Sequence, residues 1–111
     1  MTMKYSLLEK SVKTECLEYL RLMGIYAWNN PSGAVKVGDN RFMSFGKKGA
    51  ADIIGILKDG RFLAVECKSD KGRLSEAQER FLNKVKDMGG LAVVARSFKD
   101  IEKVLIENRY I

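Results

Sequence analysis

The sequence predicts an α/β domain in three layers, a mixed sheet flanked by helices, with elements in the order α-β-β-β-α-β-α. Three observations carry this. Two apolar runs, Ala51 to Leu57 and Arg61 to Lys68, flank a Lys58-Asp59-Gly60 turn signal, as a β-hairpin does. Leu91 to Ala95 is short and nearly all apolar, which suits a strand buried on both faces by helices. The remaining apolar residues recur at helical spacing behind Ser-based caps.

The elements follow in chain order. A first helix is expected from Leu7 to Met23, opened by a Ser6/Glu9 capping box and stopped at Gly24. Its stripe is Leu8, Val12, Cys16, Tyr19 and Met23. Ile25 to Trp28 reads as a short strand, broken by Asn29-Asn30-Pro31-Ser32-Gly33. Ala34 to Phe45 is ambiguous and allows a loose hairpin around Gly38-Asp39-Asn40. After the central hairpin, a helix starts at Ser75, with Gln78 completing a second capping box, and ends near Met88-Gly89-Gly90. Its expected core stripe is Ala77, Phe81, Val85 and Met88. Ser97 and Asp100 cap a last helix carrying Ile101, Val104 and Leu105. There is no internal repeat or linker-like segment, so residues 1–111 read as a single domain.

Composition narrows the chemistry. The chain has 111 residues, 46% hydrophobic and 31% charged, which fits a packed core and argues against disorder. No apolar run reaches the ~20 residues of a membrane helix, and the N-terminus lacks the layout of a signal peptide. Two cysteines, Cys16 and Cys67, are too few for a disulfide framework, so a cytoplasmic, reducing compartment is the default expectation. Histidine is absent. That removes Ser-His-Asp and Cys-His nucleophile systems, His-ligated zinc and His general bases. Catalysis would have to run on carboxylates, lysines and a borrowed metal.

Basic residues number 20 against 14 acids, for a net charge of +6. Between Lys36 and Arg73 lie nine basic residues and five acids, so +4 of that excess sits in the middle third. A polyanion partner is one implication; a solvated basic surface is the plainer one.

The register of the central hairpin decides whether a site exists. A three-residue Lys58-Asp59-Gly60 loop, with Gly last, forms a type I turn plus a G1 bulge. Leu57 then faces Arg61, paired numbers sum to 118, and Asp52 lies opposite Glu66. Period-2 alternation puts Asp52, Ile54, Ile56, Phe62, Ala64, Glu66 and Lys68 on one face. A two-residue Asp59-Gly60 loop shifts the sum to 119, sets Asp52 opposite Cys67 and parts the carboxylates. In the first register the acids' β-carbons are about 5 Å apart. Proton uptake, pairing with Lys68, or a divalent cation would each relieve the repulsion. A cation would use Asp52, Glu66 and the backbone carbonyl of Cys67, while Lys68 is suited to orienting a water or stabilising phosphate charge. Glu-x-Lys alone usually means an edge salt bridge; an Asp on the paired strand makes the pattern more specific. Glu9 and Gln78 lie on core-facing sides of their helices, and spacing alone assigns both to capping.

Gly49-Ala50-Ala51-Asp52, Glu66-Cys67-Lys68, then Gly72-Arg73-Leu74-Ser75 and Gln78 together resemble the PD-(D/E)XK nuclease superfamily. More narrowly they resemble its virus-type replication-repair branch, the VRR-NUC domain, with Glu9 matching that branch's N-terminal acid. The resemblance runs from about Ser6 to Ile101 and implies a stand-alone domain with a restriction-endonuclease-like fold. It implies that Asp52 and Glu66 ligate Mg²⁺ or Mn²⁺, that Lys68 assists the attacking water, and that Gln78 and Glu9 are accessory active-site residues. Ala51 stands where the superfamily name has proline, which bears on the strand's approach and not on the ligands. The resemblance further implies a homodimer that cuts branched DNA, including four-way (Holliday) junctions. Lys36, Arg41, Lys47, Lys48, Lys71 and Arg73 are the expected phosphate contacts. The reading is therefore a metal-dependent endodeoxyribonuclease, with a non-catalytic nucleic-acid-binding module of the same fold as the alternative.

Overall fold

The computed structural model describes residues 3–111, with side chains from Leu8 onward. The elements are α1 (Met3–Leu22), β1 (Tyr26–Asn29), β2 (Gly33–Gly38), β3 (Arg41–Phe45), β4 (Ile53–Ile56), β5 (Phe62–Cys67), α2 (Glu76–Asp87), β6 (Leu91–Ala95) and α3 (Phe98–Glu107). The main sheet has the order β1-β4-β5-β6. β1–β4 and β4–β5 are antiparallel, and β5–β6 is parallel with α2 as the crossover. This is the expected mixed sheet with helices on both faces; β2 and β3 form a separate two-stranded sheet.

The two sheet faces bury different material. On one side α1 and α3 cover Ile53, Leu57, Leu63, Val65, Cys67 and Val93. On the other side α2 sets Leu82 and Val85 over Ile54, Ala64 and Ala92. The alternation along β4 and β5 is therefore a true two-face burial. At ~25 cal/mol per Å² of apolar surface, this burial is the main stabilising contribution.

The central turn closes as the three-residue loop. Leu57 N–H donates to the Arg61 carbonyl at 2.9 Å, and Gly60 N–H donates to the Leu57 carbonyl at 2.9 Å. Gly60 sits at φ +88°, the left-handed conformation a G1 bulge demands of its glycine. The pairs Ile53–Val65, Ile54–Ala64, Gly55–Leu63 and Ile56–Phe62 all sum to 118.

Helix details depart from expectation in two places. α1 begins at Met3, so Ser6 lies within the helix and is not its N-cap; the Ser6 side chain lies outside the described residues. The extra turn follows from an N-terminal sequence free of glycine and proline, which lets the helix run past an internal serine. In α2 the buried residues are Leu82 and Val85, while Met88 is 79% exposed at the C-cap. The apolar stripe rotates by one position because Phe81 lies at the edge of the covered face, and the chain turns away at Gly89. The Ser75/Gln78 capping box forms as expected.

Candidate active site

The site sits at the end of the sheet where β4 begins and β5 ends. Asp52 immediately precedes β4. Asn30 fixes that strand start, donating from its backbone N–H to the Asp52 carbonyl at 2.7 Å and from Nδ2 to the Ala51 carbonyl at 3.3 Å. One step beyond the Ile53–Val65 pair, Asp52 meets the end of β5. Its Oδ2 accepts the Cys67 backbone N–H at 2.8 Å, which holds the carboxylate against the neighbouring strand.

Glu66 is the buried partner, 2% exposed. Its Oε2 accepts from Gln78 Nε2 at 3.0 Å and lies 3.6 Å from Lys68 Nζ. Its Oε1 is buried with no hydrogen-bond partner. Burial pushes the Glu66 carboxyl up to about 8, the adjacent Asp52 charge pushes the same way, and the Lys68 ammonium opposes both. A buried, unpaired carboxylate oxygen is costly, and a hard cation relieves that cost with oxygen ligands.

Two ammonium groups balance the two acids. Lys68 is itself 9% exposed. Lys13 of α1 places Nζ 3.6 Å from Asp52 Oδ1. The sequence accounted for Lys68; Lys13 was missed as a partner. Its only sequence signal is its place four residues after Glu9 on one helix face. Glu9 faces the same region. Its Oε1 and the Lys68 side chain lie over Gly72, where an added β-carbon would come within 3.1 Å of that oxygen. Glu9, Lys13, Asn30, Ser32 and Asp52 line an open cleft of about 910 Å³ between α1 and the end of β1.

Gln78 does two jobs with two atoms. Its Oε1 accepts the Ser75 N–H at 2.8 Å, closing the capping box, while its Nε2 donates to Glu66. Spacing assigned it the first job only. The Cys67 side chain lies on the opposite face with Cys16 in the core; hydrogen bonding to Cys16, then burial, hold its thiol well above the usual range.

The structure therefore brings Asp52, Glu66, Lys68 and Gln78 together, with Glu9 alongside Lys68. Among the described residues, no cluster of three acidic, thiol or imidazole side chains forms a metal cage. The donor set is two carboxylates, with backbone oxygen within the same strand. That suits Mg²⁺, which commonly takes one or two protein carboxylates and fills the rest with water and phosphate. Of the expected phosphate contacts, Lys36 and Arg41 lie on the β2–β3 hairpin and Lys47 and Lys48 on the loop before β4. Lys71 and Arg73 lie on the loop between Lys68 and α2, and all six are exposed.

No curated protein matches the chain. The family model for the VRR-NUC domain matches residues 38–99, a span that holds Asp52, Glu66, Lys68 and Gln78 and leaves Glu9 outside it. The chain belongs to the VRR-NUC family, nucleases of the PD-(D/E)XK type that act on DNA.

Proposed function

We propose that this chain is a metal-dependent, structure-selective endodeoxyribonuclease that hydrolyses phosphodiester bonds in branched DNA, including four-way junctions. One observation carries the metal site: a buried Glu66 with a bare Oε1, its pKa raised by burial and Asp52. Asp52, Glu66 and the Cys67 carbonyl would hold Mg²⁺ or Mn²⁺. When bound, the cation would lower the pKa of a water and polarise the phosphoryl group.

The protein's own groups do the rest. Lys68, held beside Glu66, orients the attacking water and offsets charge on the phosphate. Gln78 fixes Glu66 through Oε2 and so leaves Oε1 directed to the ligand. Glu9 and Lys13 line the cleft at Asp52 and set its charge balance. Lys71 and Arg73, on the loop following Lys68, grip phosphates flanking the cut, and Lys36 and Arg41 extend the grip along the hairpin.

The branched substrate and the homodimer go together, because two symmetric cuts need two equivalent sites related by a twofold. The β2–β3 hairpin supports a dimer. Val35, Val37, Met43 and Phe45 are exposed on a two-stranded ribbon that, among the described residues, has no further strand beside it. An isolated two-stranded ribbon is marginal in water, and such apolar exposure marks an interface. Both cysteines are free, in keeping with a cytoplasmic setting.

Asp52→Asn tests the reading. Cleavage of labelled linear, flapped and four-way DNAs is measured with Mg²⁺, Mn²⁺ or chelator. The expected loss is at least about a hundredfold, with DNA binding retained. Equal cleavage by both proteins removes the metal site, and no cleavage by either assigns the chain to a non-catalytic DNA-binding module. Light scattering reports the mass of the assembly.

A further inference from the structure

A second groove, of about 950 Å³, runs along α2 away from the carboxylates. One wall is the rim of α2, where Phe81, partly buried against the core beneath the helix, still borders the groove and the exposed Arg80 and Lys84 flank it. The other wall is Phe62 at the start of β5, with Lys47 and Lys48 near the first turn of α2. Gly49 seats that loop: a β-carbon there would meet the Ala77 carbonyl oxygen at 2.5 Å, so only glycine allows the approach. The lining contains five cations and one acid, and the acid, Asp59, is engaged by Arg61 at 2.8 Å. From Ala77 to Met88 the groove follows eleven helical steps, about 16 Å. Its near end is one residue from Gln78, which holds Glu66.

Positive rims over an apolar, aromatic floor are the two halves of a single-strand binding surface: charge for phosphates, rings for bases. A duplex would use the rims and leave the floor unused, since its bases are stacked on each other. We propose that this groove binds an unpaired DNA strand leading away from the cleavage site, with bases against Phe62 and Phe81 and phosphates on Lys47, Lys48, Arg80 and Lys84. The inference rests on the nuclease reading and adds to it the part of the substrate that is not base-paired.

The test is binding of fluorescein-labelled (dT)12, and of a 12-base-pair duplex, by anisotropy in chelator, where nothing is cut. Wild type is compared with R80E/K84E, both exposed positions, and with Phe62→Ala. The charge-reversed pair is expected to weaken (dT)12 at least tenfold and to lower the slope of log affinity against log salt by about 1.4. Phe62→Ala is expected to weaken (dT)12 by roughly 5- to 100-fold and to leave duplex affinity unchanged. Photo-crosslinking of a 5-iodouracil oligonucleotide to Phe62 or Phe81 supports the same placement. Equal weakening of duplex and single strand by Phe62→Ala overturns it, as does unchanged (dT)12 binding in both variants. Binding of an acidic aromatic peptide, (Glu-Phe)4, that (dT)12 cannot displace assigns the groove to a protein segment and also overturns it. Because binding is read without metal, a chain that fails to cut but holds (dT)12 in this groove refutes the nuclease reading alone.

Discussion

The β4–β5 hairpin and the β2–β3 hairpin have similar lengths and the same antiparallel pairing. In the first, Ile53, Ile54, Leu63, Ala64 and Val65 are buried between helices; in the second, every residue is exposed. The first has a uniform register, and the second has a bulge at Val37 between the Lys36–Phe42 and Gly38–Arg41 pairs. Two faces under pressure leave a strand one way to pair, because a slip by one residue would turn every side chain to the wrong side. A ribbon open to solvent carries no such penalty. A cluster of ionisable groups that needs sub-ångström placement belongs on the first kind of hairpin, and Asp52 and Glu66 are found at its end.

That contrast can be broken by substitution, and the effects should descend in order. Leu63→Ala, at a fully buried position, is expected to cost about 2–5 kcal/mol in urea unfolding. Glu66→Gln acts through pH. Below about pH 4.5 the Glu66 carboxyl is protonated in the folded and unfolded chain alike. Between there and about 8 the folded chain keeps the proton that the unfolded chain releases. Stability of the metal-free protein should therefore fall as pH rises across that window and level off above it. Glu66→Gln should flatten the profile and raise the metal-free melting temperature at pH 8 by several degrees; saturating Mg²⁺ should raise that of wild type only. Gly60→Ala, at φ +88°, is expected to cost about 1–2 kcal/mol. On the open hairpin, Met43→Ser should stay within about 0.5 kcal/mol by the same urea measurement. Asn40→Gly, at φ 56°, should change stability by only a few tenths, on the stabilising side. A large loss from Met43→Ser in the dilute monomer would end the comparison.

The same contrast explains what could be read ahead of the structure. Lys58-Asp59-Gly60 narrows the turn to two loops, and the three-residue one forms, so the juxtaposition of Asp52 and Glu66 was legible as one of two registers set by local residues. The paired strands of the main sheet were legible because their apolar runs are two-sided. The β2–β3 segment was ambiguous because its sequence mixes Val, Phe and Met with Lys, Arg and Gly, and the described residues cover neither of its faces. Lys13 was illegible as a partner of Asp52 because the two are joined only by the packing of α1 on the sheet. Gln78 was half legible: spacing exposes a cap, but not that the amide's other end reaches 12 residues back to Glu66. Spacing alone misread Glu9 as a cap because Ser6 looked like a helix start, whereas α1 had already begun; only the family resemblance put it beside the acids.

The amide of Gln78 links two events. Its oxygen secures the first turn of α2 within the helix itself, while its nitrogen restrains Glu66, a grip that exists only once that helix has settled on the sheet. A nascent chain caught before this docking step would possess both acids yet lack their alignment.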